Sequence, residues 1–331
     1  MKPLRVALAG AGSIAPQHLI AWARVPGVTV AAIADPDLPR ARERARDFGI
    51  PAAFADVAAM LEATPDLDAL DIAAPRELHA PLARLAAGRG LAVLCQKPLT
   101  PTLAESEALA ADLAGTRLMV HENWRFRAPY RQLRRWLDEG RLGTPTALSI
   151  YHRHSGFLAD AAGRVPAVER QPFTATEPRL MVAESLIHHL DAARWLMGPL
   201  ELLGARLQRL SPHAAGETAA TMLFSTPAGT PVLIEGHGAC PGFPSRASDG
   251  VVLAGQRATA RLDKGELTLI GAEEETHRFT AEVASQTGFD GCIAHFAERL
   301  RDGGPFETAP ADNLETLRLV EAVYRHVGWP A

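Results

Sequence analysis

Lysine is nearly missing from this 331-residue chain: Lys2, Lys97 and Lys264 stand against 31 arginines. Such a bias reflects nucleotide composition rather than fold, so a lysine that persists against it raises the question of what arginine could not do there. Cysteine is equally scarce. Cys95, Cys240 and Cys292 lie far apart with no C-x-x-C, which supports neither a disulfide framework nor a zinc knuckle. An excess of one charge is also lacking, with 34 basic and 38 acidic residues and a formal charge of −4. That balance gives no general attraction to nucleic acid or to an anionic membrane. No apolar run reaches the roughly 18 residues that cross a bilayer, and no signal-peptide cleavage pattern follows the N-terminus. A cytoplasmic protein is expected. What is present is ordinary globular composition, 47% hydrophobic and 22% charged, in a chain long enough for two domains.

Short apolar runs alternate with helical segments through the first third of the chain. Strands are expected at Leu4–Ala9, Val28–Ala34, Ala69–Ala73, Leu91–Cys95 and Leu118–Val120. Between them lie Pro16–Arg24, Asp37–Phe48, Asp56–Ala63, Glu77–Ala87 and Ala104–Ala114, with helical spacing. This alternation predicts right-handed βαβ crossovers and a parallel, doubly wound sheet. The rhythm changes after Asn123, so a first domain over 1–122 and a second over 123–331 are expected. In the second, Tyr130–Glu139 reads as helix and Pro145–Arg153 as strand. Residues 205–270 carry short alternating runs between Gly, Pro and Asp turns, the pattern of an antiparallel sheet. Helices are expected at Met181–Met197, Asp290–Arg301 and Leu314–Val327, and a loop at Phe157–Pro178.

Gly10-Ala11-Gly12-Ser13-Ile14-Ala15 follows the first strand and opens the first helix, in the form G-x-G-x-x-A. The first glycine permits the tight turn and the second lets backbone approach a pyrophosphate. The small third residue allows close helix packing, and the helix N-terminus favours the phosphate. Glycines also serve empty strand–helix turns, but here Asp35 closes the second strand, 20 residues beyond Ala15, where an acid binds the adenosine ribose hydroxyls. Asp35-Pro36-Asp37 puts carboxylates where a 2′-phosphate would lie, and no basic residue precedes Arg40. NAD is therefore favoured over NADP.

Gln96-Lys97-Pro98 closes the fifth strand, at the sheet end where ligands bind. A lysine can be tuned toward neutrality and release a proton, which arginine does not; a solvated loop lysine beside a turn proline is the equal alternative. In Met181–Met197, Glu184, His188 and Asp191 recur at helical spacing on one face. A solvated face is the default for such a stripe. The surrounding residues are mostly apolar, however, so the stripe needs polar partners, and His188 with Glu184 one turn earlier reads as an oriented acid–base. His189 points elsewhere and is assigned a structural hydrogen bond. His152 and His154 share a strand face, and with Glu184 and His188 they raise a metal reading; without a dense ligand motif no metal is expected. No nucleophile elbow is present.

In this order and spacing the motifs resemble the Gfo/Idh/MocA family of glucose-fructose oxidoreductase and inositol-dehydrogenase-like enzymes, over nearly the whole chain. The glycine loop with His18 is similar to the family's loop and downstream histidine, and Asp71 through Ala74-Pro75 to His79 to its segment beside the nicotinamide. Gln96-Lys97-Pro98 corresponds to its Glu-Lys-Pro, with Gln96 in place of the glutamate. Asn123-Trp124-Arg125-Phe126 resembles the join between domains. Glu184–His188–Asp191 resembles its Asp-x-x-x-His-x-x-Asp helix, with Glu184 one methylene longer.

The resemblance implies a Rossmann domain followed by an α/β domain with an open, mostly antiparallel sheet, whose outer face forms a homodimer or homotetramer interface. The last helix would pack back on the Rossmann half. It implies an NAD(P)-dependent enzyme moving hydride between nicotinamide and a secondary CHOH of a sugar, cyclitol or sugar derivative. Lys97, His188 and Glu184 would be catalytic. Gly10, Gly12, Ser13, Ile14, Ala15, Asp35, Ala74, Pro75, His79, Gln96 and Lys97 would meet the cofactor. Lys97, Arg125, His152, His154 and His188 would meet the substrate. A non-catalytic cofactor sensor of the same fold, and a lyase or glycosidase with transient NAD redox, are the alternatives; retention of both Lys97 and His188 argues against the sensor.

Overall fold

The computed structural model describes residues 3–246 and 248–330; Lys2 lies outside them. The chain divides into two compact units, Met1–Arg127 with Ser285–Glu315, and Ala128–Ala284 with Thr316–Ala331. The first crossing thus falls just after the Asn123–Phe126 stretch, and the chain returns to the first unit before ending in the second.

The first unit is built on β1 (Leu4–Ala9), β2 (Val28–Ala34), β3 (Ala52–Phe54), β4 (Ala69–Ile72), β5 (Ala92–Gln96) and β6 (Leu118–His121). They form one parallel sheet in the order β3-β2-β1-β4-β5-β6. The strand order reverses between β1 and β4, so the loops after these strands meet at a switch point. Helices α1 (Ala15–Ala23), α2 (Leu38–Phe48), α3 (Val57–Ala63), α4 (His79–Ala87) and α5 (Leu103–Asp112) connect the strands. Their starts follow local chemistry. Asp37 caps α2 through the Arg40 N–H, Asp56 caps α3 through the Ala59 N–H, and Thr102 with Glu105 forms a reciprocal capping box on α5. β3 escaped the sequence reading because its three half-buried residues are too short for a periodicity.

The second unit carries α6 (Ala128–Asp138), β7 (Pro145–Arg153), α7 (Pro166–Arg170), α8 (Ile187–Met197) and β8 (Glu201–Gln208). Next come β9 (Ala219–Ser225), β10 (Pro231–His237), β11 (Ser248–Gly255), β12 (Ala258–Asp263), β13 (Glu266–Gly271) and β14 (Glu275–Arg278). Its eight strands run β14-β13-β12-β11-β7-β10-β9-β8, antiparallel except for the β7–β10 pair. The inner face buries Leu148, Ile150, Met222, Phe224, Val232, Ile234, Val251 and Leu253, the alternation expected of a sheet covered on one side. The stretch 157–178 holds α7 and a 3-10 turn at Pro172–Ala175 rather than an unstructured loop.

Two helices close the chain, α9 (Ala281–Asp302) and α10 (Pro310–Val327). α9 supplies Phe289, Cys292, Ile293, Phe296 and Ala297 to the core beneath β1, β4, β5 and β6, together with Leu4, Trp22 and Leu94. From Thr316 onward α10 belongs to the second unit, where Tyr324 is fully buried. The apolar faces of the two helices look alike in sequence, so only packing distinguishes them.

Candidate active site

Gly10 adopts φ +107, and a Cβ there would lie 2.4 Å from the Ala73 carbonyl oxygen. No other residue fits both the turn and the close approach of the loop after β4. Gly12 differs. A Cβ added there meets nothing within 4 Å, so its smallness leaves room for an outside group rather than for the protein. Ser13 is exposed and Ile14 half-buried, while Ala15 is fully buried where α1 starts and meets the sheet. A dinucleotide pyrophosphate suits this open cradle at the switch point.

Asp35 ends β2 and is 5% exposed. Its Oδ2 accepts the Ala11 N–H at 2.7 Å, and its Oδ1 accepts the Asp37 N–H at 2.9 Å and Arg40 Nη2 at 2.7 Å. Burial pushes this carboxyl up, but the Ala11, Arg40 and Asp37 donors outweigh it and hold it below its usual range. Arg40, which the sequence reading used only as the limit of the acidic stretch, thus reaches Asp35 directly.

Two turns lie along the same sheet edge. The Ala73-Ala74-Pro75 turn follows β4, and Gln96-Lys97-Pro98 follows β5 with a cis Lys97–Pro98 peptide. His79 joins them, its Nδ1 facing the Pro98 carbonyl and its Nε2 the Ala74 carbonyl, both at 2.9 Å. Its ring is 1% exposed and burial lowers its proton affinity. Both partners are carbonyl oxygens, so the ring, with one N–H, donates to one turn and packs against the other, its imidazole enclosed between them. Lys97 is half-buried, and its backbone N–H donates to Gln96 Oε1 at 3.0 Å. Arg125, taken from sequence as a substrate holder, is 2% exposed. Its guanidinium binds the Glu307 carbonyl at 3.1 Å and Asp312 at 2.7 Å, a tie within the first unit.

In the second unit the expected continuous helix is split. Met181–Leu186 is π-helical and α8 begins at Ile187. Glu184 lies in the wider turn, so the 3.6-residue period does not set its offset from His188. Gly236 on β10 admits this segment, since a Cβ there would come within 2.9 Å of Met181 Sδ and Leu186 Cδ1. His188 is 9% exposed; Asp191 is fully buried and accepts from Thr316 Oγ1 at 3.1 Å. Glu217, which no motif pointed to, accepts the Leu180 and Val182 N–H groups and the Tyr324 hydroxyl. Burial raises this carboxyl despite those donors.

His152 and His154 are each 6% exposed, with ring centroids 5.5 Å apart. Asp249, at the start of β11, faces His152 Nδ1 at 2.6 Å and His189 Nε2 at 3.1 Å. Burial would raise this carboxyl, but the two histidines hold it well below its ordinary value. Burial, then His152 and Arg170, push His154 down to about 3. His152, His189 and Asp249 offer three atoms within 4.8 Å that could hold a metal ion. The edge of a tetrahedral zinc site is about 3.3 Å, so the 2.6 Å contact is the distance of a hydrogen bond. The sequence held no signal for Asp249, because β7 and β11 meet only through sheet register.

A glycine cradle at a switch point, closed by an acid on β2, defines an NAD-binding oxidoreductase. The family model described as "Oxidoreductase family, NAD-binding Rossmann fold" matches residues 4–123, and the "GFO/IDH/MocA C-terminal domain" matches residues 130–267. The chain is 34% identical to a D-apiose dehydrogenase of Paraburkholderia graminis, covering 98% of this chain and 88% of that protein. It is 30% identical to an inositol 2-dehydrogenase of Saccharopolyspora erythraea, over 92% and 87% respectively. An oxidoreductase from Agrobacterium radiobacter, solved with NAD+, L-tartaric acid and magnesium, superposes with a TM-score of 0.89 at 30% identity, covering 99% and 97%. The chain belongs to the Gfo/Idh/MocA oxidoreductase family and is an NAD(P)-dependent oxidoreductase acting on CH–OH groups.

Proposed function

We propose that this chain is a cytoplasmic, NAD-preferring dehydrogenase of a sugar, cyclitol or sugar derivative, with Lys97 and His188 handling the proton of the reacting hydroxyl. The supporting observation is the joined set of turns at the Rossmann switch point, where Gly10 seats on Ala73 and His79 lies between the Ala74 and Pro98 carbonyls beside Lys97. The D-apiose and inositol relatives support the substrate class. Asp35 supports NAD over NADP, because its carboxylate binds ribose hydroxyls and repels a 2′-phosphate.

Gly10, Gly12, Ser13, Ile14 and Ala15 would hold the pyrophosphate, with Ala74, Pro75, Gln96 and Lys97 toward the nicotinamide. When bound, the nicotinamide supplies the hydride acceptor. His188 takes the hydroxyl proton as general base, and Glu184 orients it. The Lys97 ammonium donates to the same oxygen and steadies its developing charge. His152 and His154 hold substrate hydroxyls, His154 as a neutral ring. In reduction the roles reverse. No resident metal is proposed.

Self-association as a dimer or tetramer is part of the proposal. Leu223, Leu233, Ser149, Val252 and Arg261 pair in one row across five strands on the outer face of the second sheet. Leu223 is 40% exposed and Val252 39%, with Leu203 and Ile270 also outward. Free Cys95 and Cys292, both buried, accord with a reducing compartment.

The test is a melting series with NADH and NADPH, followed by a polyol screen for NADH formation. Ligand at a hundredfold excess over Kd adds about 2.7 kcal/mol. A shift with NADH, and polyol-dependent NADH formation that Lys97→Met abolishes at unchanged NADH affinity, is expected. Unchanged turnover in Lys97→Met would remove Lys97 from the mechanism.

A further inference from the structure

We infer that Gln96 is a positioning residue for Lys97, and that its amide holds two buried histidines, His18 and His121, as hydrogen-bond acceptors with one ring proton each. Gln96 Oε1 lies 3.0 Å from the Lys97 backbone N–H, a group that only donates, and this fixes which end of the amide is oxygen. Gln96 Nε2 then faces His18 Nε2 at 2.9 Å and His121 Nδ1 at 3.2 Å. An amide nitrogen only donates, so both of these ring nitrogens bear lone pairs.

The His18 side of the network agrees. With its Nε2 accepting, His18 carries its proton on Nδ1, which donates to Asp71 Oδ2 at 2.8 Å. Trp22 Nε1 donates to the same oxygen at 2.7 Å. His121 carries its proton on Nε2. The two rings stack at 4.4 Å between centroids, an arrangement that a pair of imidazolium ions would oppose. His18 is 0% exposed, and Asp71 and His121 are each 1%, so water cannot stand in for a lost partner.

The clamp spans four elements: His18 from α1, Asp71 from β4, Gln96 from β5 and His121 from β6. The peptide that carries Lys97 is thereby hung from an amide that cannot turn without breaking a buried bond. Glutamate at this position has the same shape but only accepts. Its carboxylate would meet two lone pairs unless a facing ring nitrogen gained a proton, by tautomer exchange in His121 or by a second proton on His18. The amide therefore sets which nitrogens of the two rings accept as well as the place of Lys97.

The inference uses the role proposed above for Lys97, and the test separates the two. Long-range proton–nitrogen spectra of ¹⁵N-histidine-labelled full-length protein report which ring nitrogens carry protons. The wild type should show His18, assigned by the signals lost in His18→Asn, protonated at Nδ1 alone, and Gln96→Glu should move a proton onto a ring nitrogen that faces position 96. Gln96→Met, close in volume but without donor or acceptor, should lower kcat about tenfold, the scale of a small displacement of a reacting group. Histidine spectra identical in wild type and Gln96→Glu would overturn the donor arrangement, and an unchanged kcat in Gln96→Met would overturn the positioning role. If Lys97→Met alone retained turnover while the Gln96→Glu spectra changed as expected, the Lys97 mechanism would fail and the histidine assignment would stand.

Discussion

Arg40 Nη2 donates to Asp35 Oδ1 at 2.7 Å from one turn inside α2, with 43% of the arginine side chain exposed and 6% of the aspartate. The carboxylate therefore holds, next to the expected ribose site, the cation that a 2′-phosphate would need. Asp35→Ser should remove the ribose acceptor and free Arg40 together. We expect the Kd for NADH to rise about tenfold, roughly the 1.4 kcal/mol of a charge-assisted hydrogen bond, and the Kd for NADPH to fall. Tryptophan quenching titrations would check this, and Asp35→Ser/Arg40→Ser should lose the gain for NADPH. If the single variant gains nothing for NADPH, Arg40 does not serve a 2′-phosphate.

Tyr324 links the last helix to the segment carrying Glu184. Its hydroxyl donates to Glu217 Oε1 at 2.6 Å and accepts the Ala183 N–H at 3.1 Å. Tyr324→Phe keeps the buried ring and strands the Ala183 N–H, a cost of about 1–3 kcal/mol. Calorimetry should show a Tm lowered by a few degrees. Kinetics should show kcat falling more than KM rises, because the π-helical turn loses a fixed point. Equal melting curves would mean that the hydroxyl is dispensable.

Acid sensitivity should come largely from His154. Its folded value is about 3, against an ordinary value of about 6.5. Between these, the unfolded chain binds a proton that the folded chain does not, so stability falls as pH falls, by up to about 1.4 kcal/mol per pH unit. Glu217, raised by burial, works the other way, since the folded chain keeps its proton to higher pH. Melting temperature should therefore drop between pH 7 and pH 4. His154→Asn, which preserves an acceptor for the Gly156 N–H bound at 3.0 Å, should flatten that slope. An unaltered slope would assign the acid sensitivity to other groups.

The outer sheet row predicts association. Leu223→Asp places a charge at one end of the Leu223–Leu233–Ser149–Val252 line without entering the core, since Leu223 already faces outward. Light scattering should show a smaller assembly than the wild type, with the far-ultraviolet spectrum unchanged. A wild-type protein that is monomeric at micromolar concentration would dismiss this interface.

Much of the first unit was legible because its signals are local. A buried parallel strand reads as an apolar run, and a cap needs only its own first turn, so Leu4–Ala9, Val28–Ala34 and the Asp37 and Asp56 caps fall where the sequence puts them. Lys97 and the glycine loop were visible because each follows a strand that could itself be recognised. Glu217, Asp249 and Tyr324 were not, since each meets its partners from more than 30 residues away in sequence. The π turn through Glu184 was hidden for a related reason. Its Met181 and Leu186 side chains pack where Gly236 leaves room, a contact with a distant strand that no local periodicity announces.

The sequence by itself determined the parallel sheet and the dinucleotide cradle, because these rest on backbone sterics and strand–helix alternation at short range. Only the tertiary structure decided which donors and acceptors the polar side chains face: Arg40 on Asp35, Asp249 between His152 and His189, and Gln96 between His18 and His121. A hydrogen bond is specified to tenths of an ångström, and that precision exists only once separate strands have come into register.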